Sequence, residues 1–222
     1  MKLLLYILLL FLLISCKENK KEQFARLVQE WQGKEIVFPQ DMVFSRFVSD
    51  TVDYRVPDAE YKVLIYVDSV GCTSCKLQLP KWKELIAHTD SITNRTIPYL
   101  FIFQSKDDRE LRYILKRDNF DRPVCIDRNS RLDKLNKFPQ DITFQTFLLD
   151  RDNKVKVIGN PIHNLAVRDL YLKQIASVQQ KDAFSPTTIE PEKSEYDLGT
   201  VKEGINGKSS KFGENKKGLE IT

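Results

Sequence analysis

The chain has 222 residues, with 35 basic and 31 acidic side chains and a formal charge of +4. Charges so evenly balanced and interleaved exclude the dense basic face that nucleic-acid binding requires. At 41% hydrophobic and 30% charged residues, the composition is that of one packed globular domain with an appendage.

The N-terminus opens with Met1-Lys2, then an unbroken apolar run over residues 3–12, then Leu13-Ile14-Ser15-Cys16, closed off by Lys17, Glu18 and Lys20. That run is too short to span a bilayer comfortably and has the build of a secretory signal. Its last four residues resemble the lipobox of bacterial lipoproteins. The resemblance implies cleavage before Cys16, lipidation of Cys16 and tethering by more than one acyl chain, the number that stable anchoring needs. Residues 1–16 are therefore expected to be a lipoprotein signal peptide. The mature chain is expected in the bacterial cell envelope, facing the periplasm or the cell surface.

Residues 17–35 are polar apart from Phe24, Leu27, Val28 and Trp31, spaced i, i+3, i+4, i+7, which predicts a tether helix with one apolar face for docking. Gly33 is its expected stop. Short β-rich pieces follow, Ile36-Val37-Phe38 and Met42-Val43-Phe44, punctuated by Pro39 and Pro57.

Strand and helix then alternate. Residues 63–67 read as a strand and 74–87 as a helix with Leu79, Trp82, Leu85 and Ile86 near one face. Residues 99–103 read as a buried strand, and 107–117 as a helix with Leu111, Ile114 and Leu115 inward and Asp107 or Asp108 at its start. Residues 124–126 make a third strand and 130–137 a short helix opened by Ser130. Residues 146–149 and 155–158 flank a turn and predict a hairpin; Val167, Tyr171 and Ile175 lie along a last helix over 164–180. This order predicts an α/β domain over residues 36–180, a central mixed sheet with helices on both faces. Over residues 181–222 the helical pattern gives way to Ser185-Pro186, Pro191 and the closely placed Gly199, Gly204 and Gly207, and the residues from Thr188 on are too few to bury a core alone.

The chemistry concentrates in Gly71-Cys72-Thr73-Ser74-Cys75-Lys76, where a strand gives way to a helix. Two thiols at that spacing can close a small-ring disulfide, and backbone N–H groups at a helix start favour the thiolate of the first. The thiolate is the species that attacks disulfides. A purely structural disulfide and half of a zinc site are the alternatives. Zinc wants four ligands, and only His88 and His163, far apart, accompany the pair. No metal and no other cofactor is expected. Cys125 reads as a small buried hydrophobe, and Asp127 and Asp150 as strand-end acids that cap turns. Lys76, Lys81 and Lys83 could lower the pKa of Cys72, although helix lysines more often form a solvated face.

GCTSCK after an apolar strand, with Pro80 five residues past Cys75, resembles the active-site helix of the thioredoxin fold. Phe147-Leu148-Leu149-Asp150, followed by a turn and residues 155–158, is similar to the closing hairpin of the TlpA/ResA-like branch, membrane-tethered thiol-disulfide oxidoreductases of the cell envelope. The resemblance covers about residues 36–180. It implies a thioredoxin-like three-layer sandwich with Cys72 as attacking thiolate and Cys75, one turn on and more buried, as resolving thiol. The implied partners are exported protein thiols and disulfides and an upstream redox donor, with no nucleic acid. The tail, from Ile189-Glu190-Pro191 through Gly204, resembles the start of an Ig-like domain of unknown function.

Three positions depart from the pattern. Gly71 stands where an aromatic usually precedes the first cysteine, Tyr66 where thioredoxins carry a buried acid, and Phe144 where most of the fold carries a cis-proline. Asp68 or a water is then the candidate substitute as proton relay, beside the plain reading of Asp68 as a loop or strand-end acid. A second function class is a non-catalytic envelope binding module on the same scaffold. A third, a peroxiredoxin-like peroxidase, lacks its Pro-x-x-x-Thr-x-x-Cys motif.

Overall fold

The computed structural model describes residues 20–70, 72–93, 96–105 and 107–183 of the chain. The expected signal peptide with Cys16, then Gly71, and the tail expected to be Ig-like lie outside them. In chain order the elements are α1 (Lys20–Trp31), β1 (Phe44–Arg46), β2 (Asp50–Val52), β3 (Tyr61–Val67), α2 (Thr73–Leu77), α3 (Leu79–Thr93), β4 (Tyr99–Phe103), α4 (Asp108–Arg117), β5 (Val124–Ile126) and α5 (Arg131–Asn136). A short 3₁₀ turn (Ile142–Phe144), β6 (Thr146–Asp150), β7 (Val155–Ile158) and α6 (Leu165–Ala183) complete the order.

One sheet runs β2-β1-β5-β4-β3-β6-β7. β3 pairs in parallel with β4, and β4 with β5; β6 runs antiparallel to β3, and β7 antiparallel to β6. Every residue of β3 and β4 is buried, as expected of strands covered on both faces. Alternation along β3 sends Val63, Ile65 and Val67 to one face and Leu64 and Tyr66 to the other. The first face packs against α3 (Trp82, Leu85, Ile86), α4 (Leu111, Ile114, Leu115) and α6 (Tyr171, Ile175). The second packs against Trp31 of α1 and Leu132 of α5. Parallel central strands, an antiparallel closing hairpin and helices on both faces make this a thioredoxin-like three-layer α/β sandwich.

The one charged side chain buried along β3, Lys62, is 2% exposed and donates to the carbonyls of Pro57 (3.0 Å) and Arg151 (3.1 Å). Burial holds its ammonium pKa below the usual value, against the pull of Asp58 and Asp150.

Four local expectations are corrected. The helix expected over 74–87 is two helices: Gln78 takes a left-handed conformation (φ 39°, ψ 44°), and α3 restarts at Leu79. Pro80 supplies the reason, since its ring excludes the carbonyl four residues back from a continuous helix. Residues 36–38 are not a strand, and the bridge nearest to them is a single one between Glu35 and Lys154; the strands fall at 44–46 and 50–52 instead. Asp107 caps α4 as expected, by accepting from Arg109 N–H at 2.8 Å. Ser130 does not cap α5; it is left-handed at φ 51°, and Asp127 takes the N–H groups of Arg131 (2.8 Å) and Leu132 (2.9 Å). Finally, only Trp31 of the α1 stripe is fully buried, while Phe24 stays 44% exposed.

Candidate functional site around Cys72 and Cys75

β3 ends at Val67, and the chain turns through Asp68, Ser69 and Val70 toward α2. Asp68 holds that turn by accepting from Val70 N–H at 2.9 Å. Cys72 is the N-cap of α2, with extended backbone (φ −77°, ψ 112°), and its Sγ accepts from Cys75 N–H at 3.2 Å. The cap position lets a sulfur do what a serine or aspartate oxygen does elsewhere. Cys72 and Cys75 form a disulfide with their Cα atoms 5.4 Å apart.

Both cysteines are exposed. Cys75, expected to be the more buried of the two, is not buried. The break at Gln78 ends α2 after five residues, so the second cysteine is not carried down into the core, and Leu77 and Leu79 (1% and 0% exposed) fill that place. Gln78 also ties the turn together by donating from Nε2 to the Cys75 carbonyl at 3.1 Å. Thr73 Oγ1 donates to Glu110 Oε2 of α4 at 3.4 Å.

Asp68 sits at the foot of the motif. Lys76 Nζ forms an ion pair with Asp68 Oδ1, and Gln145 Nε2 donates to Oδ2 at 3.0 Å. Burial pushes the Asp68 carboxyl up, but the donors from Lys76, Gln145 and Val70 outweigh it and hold the group below the usual carboxylate range. At neutral pH Asp68 is an ion-paired anion. Of the three lysines considered in the sequence, Lys76 is drawn into the site. Lys83 instead donates to the carbonyls of Asp118 (3.3 Å) and Asn119 (3.2 Å), closing the end of α4.

Tyr66 is 1% exposed, with its ring 4.8 Å from Phe138, and its hydroxyl has no partner among the described residues. Burial, with the charges of Asp133, Asp127 and Asp68, raises its pKa far above the ordinary phenol value. Phe144, at the expected cis-proline position, ends the 3₁₀ turn and packs 5.1 Å from Phe24 in the second-face core. Cys125 is a buried free thiol in that same second-face core, away from the α3 face. Burial, helped by Asp127, pushes its pKa up to about 11. Among the described residues no cluster of three His, Cys, Asp or Glu side chains could hold a metal ion.

A cavity of about 510 Å³ opens beside the motif, lined by Tyr66, Asp68, Lys76, Gln104, Asp133 and Gln145, among others. Gln145, Gln104 and Asp133 were not anticipated. Gln145 carries no local signal: it enters the site from 77 residues beyond Asp68 through the pairing of β6 with β3.

No family model matches the chain, and neither does any curated protein. Among solved structures the chain is similar to peroxidoxin BcpB from Mycobacterium tuberculosis, at 14% identity and a TM-score of 0.47, over 66% of this chain and 97% of that one. It is also similar to a thiol:disulfide interchange protein of the thioredoxin family from Chlorobium tepidum TLS, at 12% identity and a TM-score of 0.43, over 60% of this chain and 92% of that one. A third likeness is StoA from Bacillus subtilis, at 18% identity and a TM-score of 0.39, over 52% and 85%. The thioredoxin-like assignment rests on the strand order, register and helix placement of this chain itself.

Proposed function

We propose that the protein is a thiol-disulfide oxidoreductase of the bacterial cell envelope, anchored by lipid on Cys16 and acting on exported proteins through Cys72 and Cys75. The observation that carries this reading is the exposed Cys72–Cys75 disulfide at the start of α2, with a backbone N–H already aimed at the Cys72 sulfur. That N–H favours the thiolate once the disulfide opens. In the reduced protein, the Cys72 thiolate attacks one sulfur of a partner disulfide, forming a mixed disulfide and releasing the partner's other sulfur as thiolate. The Cys75 thiolate then attacks Cys72 Sγ, closing Cys72–Cys75 and releasing the second partner thiol. The partner gains two electrons and two protons, and an upstream dithiol donor returns the pair to the reduced state. Run backwards, the same steps oxidise a partner; the reduction potential sets the direction.

Asp68 is the acid we assign to the pair. Held ionised beside Lys76, it fixes the charge at the foot of α2, and it acts as proton relay only by taking up a proton against three hydrogen bonds. An Asp68→Asn variant tests that role through the pH dependence of the resolving step.

The deciding experiment equilibrates the protein in glutathione buffers and counts alkylated thiols by mass spectrometry. Cys72 and Cys75 are expected to switch together between free and bridged, and Cys75→Ser to trap a mixed disulfide on Cys72. A pair that never cycles, or a Cys72→Ser/Cys75→Ser variant with full activity in cells, overturns the reading in favour of a non-catalytic binding module. Labelling cells with an alkyne fatty acid tests the anchor, since Cys16→Ser must abolish incorporation.

A further inference from the structure

The cavity beside the motif carries chemistry that the thiol pair does not use. Gln145 fixes its own amide orientation, because its nitrogen donates to both Asp68 Oδ2 (3.0 Å) and the Pro139 carbonyl (2.9 Å). The atom left over is Oε1, an acceptor. It is buried without a partner among the described residues, and so is Tyr66 Oη in the same lining. The parent side chains are 3% and 1% exposed. Buried polar atoms seldom stay unmatched, so two in one cavity wall point to a group that matches them.

The charges say which kind of group. Asp68 and Asp133 both line the cavity, and the cation in the lining, Lys76, is already committed to Asp68. Asp133 spends one oxygen on Phe138 N–H at 3.0 Å. The lining therefore holds a surplus carboxylate and open acceptors. Its complement is a cation with several N–H donors, and a guanidinium, with five in a planar fork, suits it well. Position links the cavity to the disulfide: Asp68 stands four residues before Cys72, and Lys76 directly follows Cys75.

We propose that this cavity is a subsite for a basic side chain, a guanidinium or an ammonium, lying next to the cysteine that the partner polypeptide presents to Cys72. The proposal rests on the oxidoreductase reading above and names the substrate class it prefers. In each turnover the Cys72 thiolate displaces one thiol from the peptide disulfide. Cys75 displaces the second on closing the pair, so the peptide gains two electrons and two protons.

The test uses the full-length protein in detergent micelles, reduced, with disulfide-linked dimers of short peptides carrying Arg, Lys, norleucine or Glu beside the cysteine. In a single turnover of the reduced pair, Arg and Lys peptides are expected to be reduced with a second-order rate constant about tenfold above that of the norleucine peptide, the size of one charge-assisted hydrogen bond. The Glu peptide is expected to be slower still, and Asp133→Asn to collapse the Arg-to-norleucine ratio toward one. In parallel, the oxidised protein is titrated with cysteine-free N-acetyl-arginine methylamide and its norleucine analogue while the Gln145 side-chain amide is followed by NMR. A saturable shift with the arginine compound alone supports the subsite. Equal rates for all four peptides with an unmoved Gln145 resonance overturn it and leave the redox reading intact. A preference that survives Asp133→Asn overturns this location. If no peptide is reduced, the redox reading fails, and the titration alone then upholds or overturns the subsite.

Discussion

The ion pair between Lys76 and Asp68, with side chains 18% and 16% exposed, is shielded enough to matter and small enough to measure. Because the folded carboxyl titrates below its unfolded value of 3.8, its contribution is complete above that pH and fades as pH falls through the lower folded value. Asp68→Asn is therefore expected to cost about 1–2 kcal/mol in urea unfolding at pH 7, with the gap closing below about pH 4. Cys125 gives the opposite kind of prediction. With its pKa near 11, about one molecule in a thousand carries it as thiolate at pH 8, and burial hides even that. Iodoacetamide is expected to label Cys72 and Cys75 in the reduced native protein and to reach Cys125 only in denaturant, as peptide mapping will report.

Among the elements, α1 is held by one residue more than by its stripe. Trp31 packs its ring 5.1 Å from Phe147 and 5.9 Å from Phe138, with Lys34 Nζ 3.8 Å from the ring centroid. Trp31→Ala is expected to cost about 3–5 kcal/mol in unfolding free energy, whereas Phe24→Ala, half in solvent, costs well under half of that. The elements also show what a sequence can and cannot tell. The runs at 63–67 and 99–103 were legible as buried strands because nothing polar interrupts them, and α4 because its apolar residues recur on one face. The CTSC pair was legible because four residues suffice to place it. What escaped was set by distant partners or by conflict between neighbours. Ser130 looks like a cap, yet Asp127 reaches further and takes the N–H groups. Gln145 reads as nothing until strand pairing brings it to Asp68. Gln78 looks like an ordinary helical residue, and only Pro80 two positions later explains its conformation.

For the molecule as a whole, the redox state is expected to weigh little on stability. The disulfide closes a loop between residues only three apart, so the chain entropy it removes is worth about 2 kcal/mol. Its attachment is also local, since α2 ends at Gln78 while the Gln78 carbonyl accepts from Lys81 N–H (3.0 Å) and starts α3 afresh. Reduction is expected to lower the thermal midpoint by less than about 8 °C. Hydrogen exchange should quicken over residues 72–78 while the amides of β3 and β4 keep their rates. The broken helix thus makes the thiol turn an interchangeable part. Because α3 takes its first bonds from Gln78 and not from the turn, the two residues between the cysteines can be exchanged to retune the reduction potential while α3 keeps its register on the sheet.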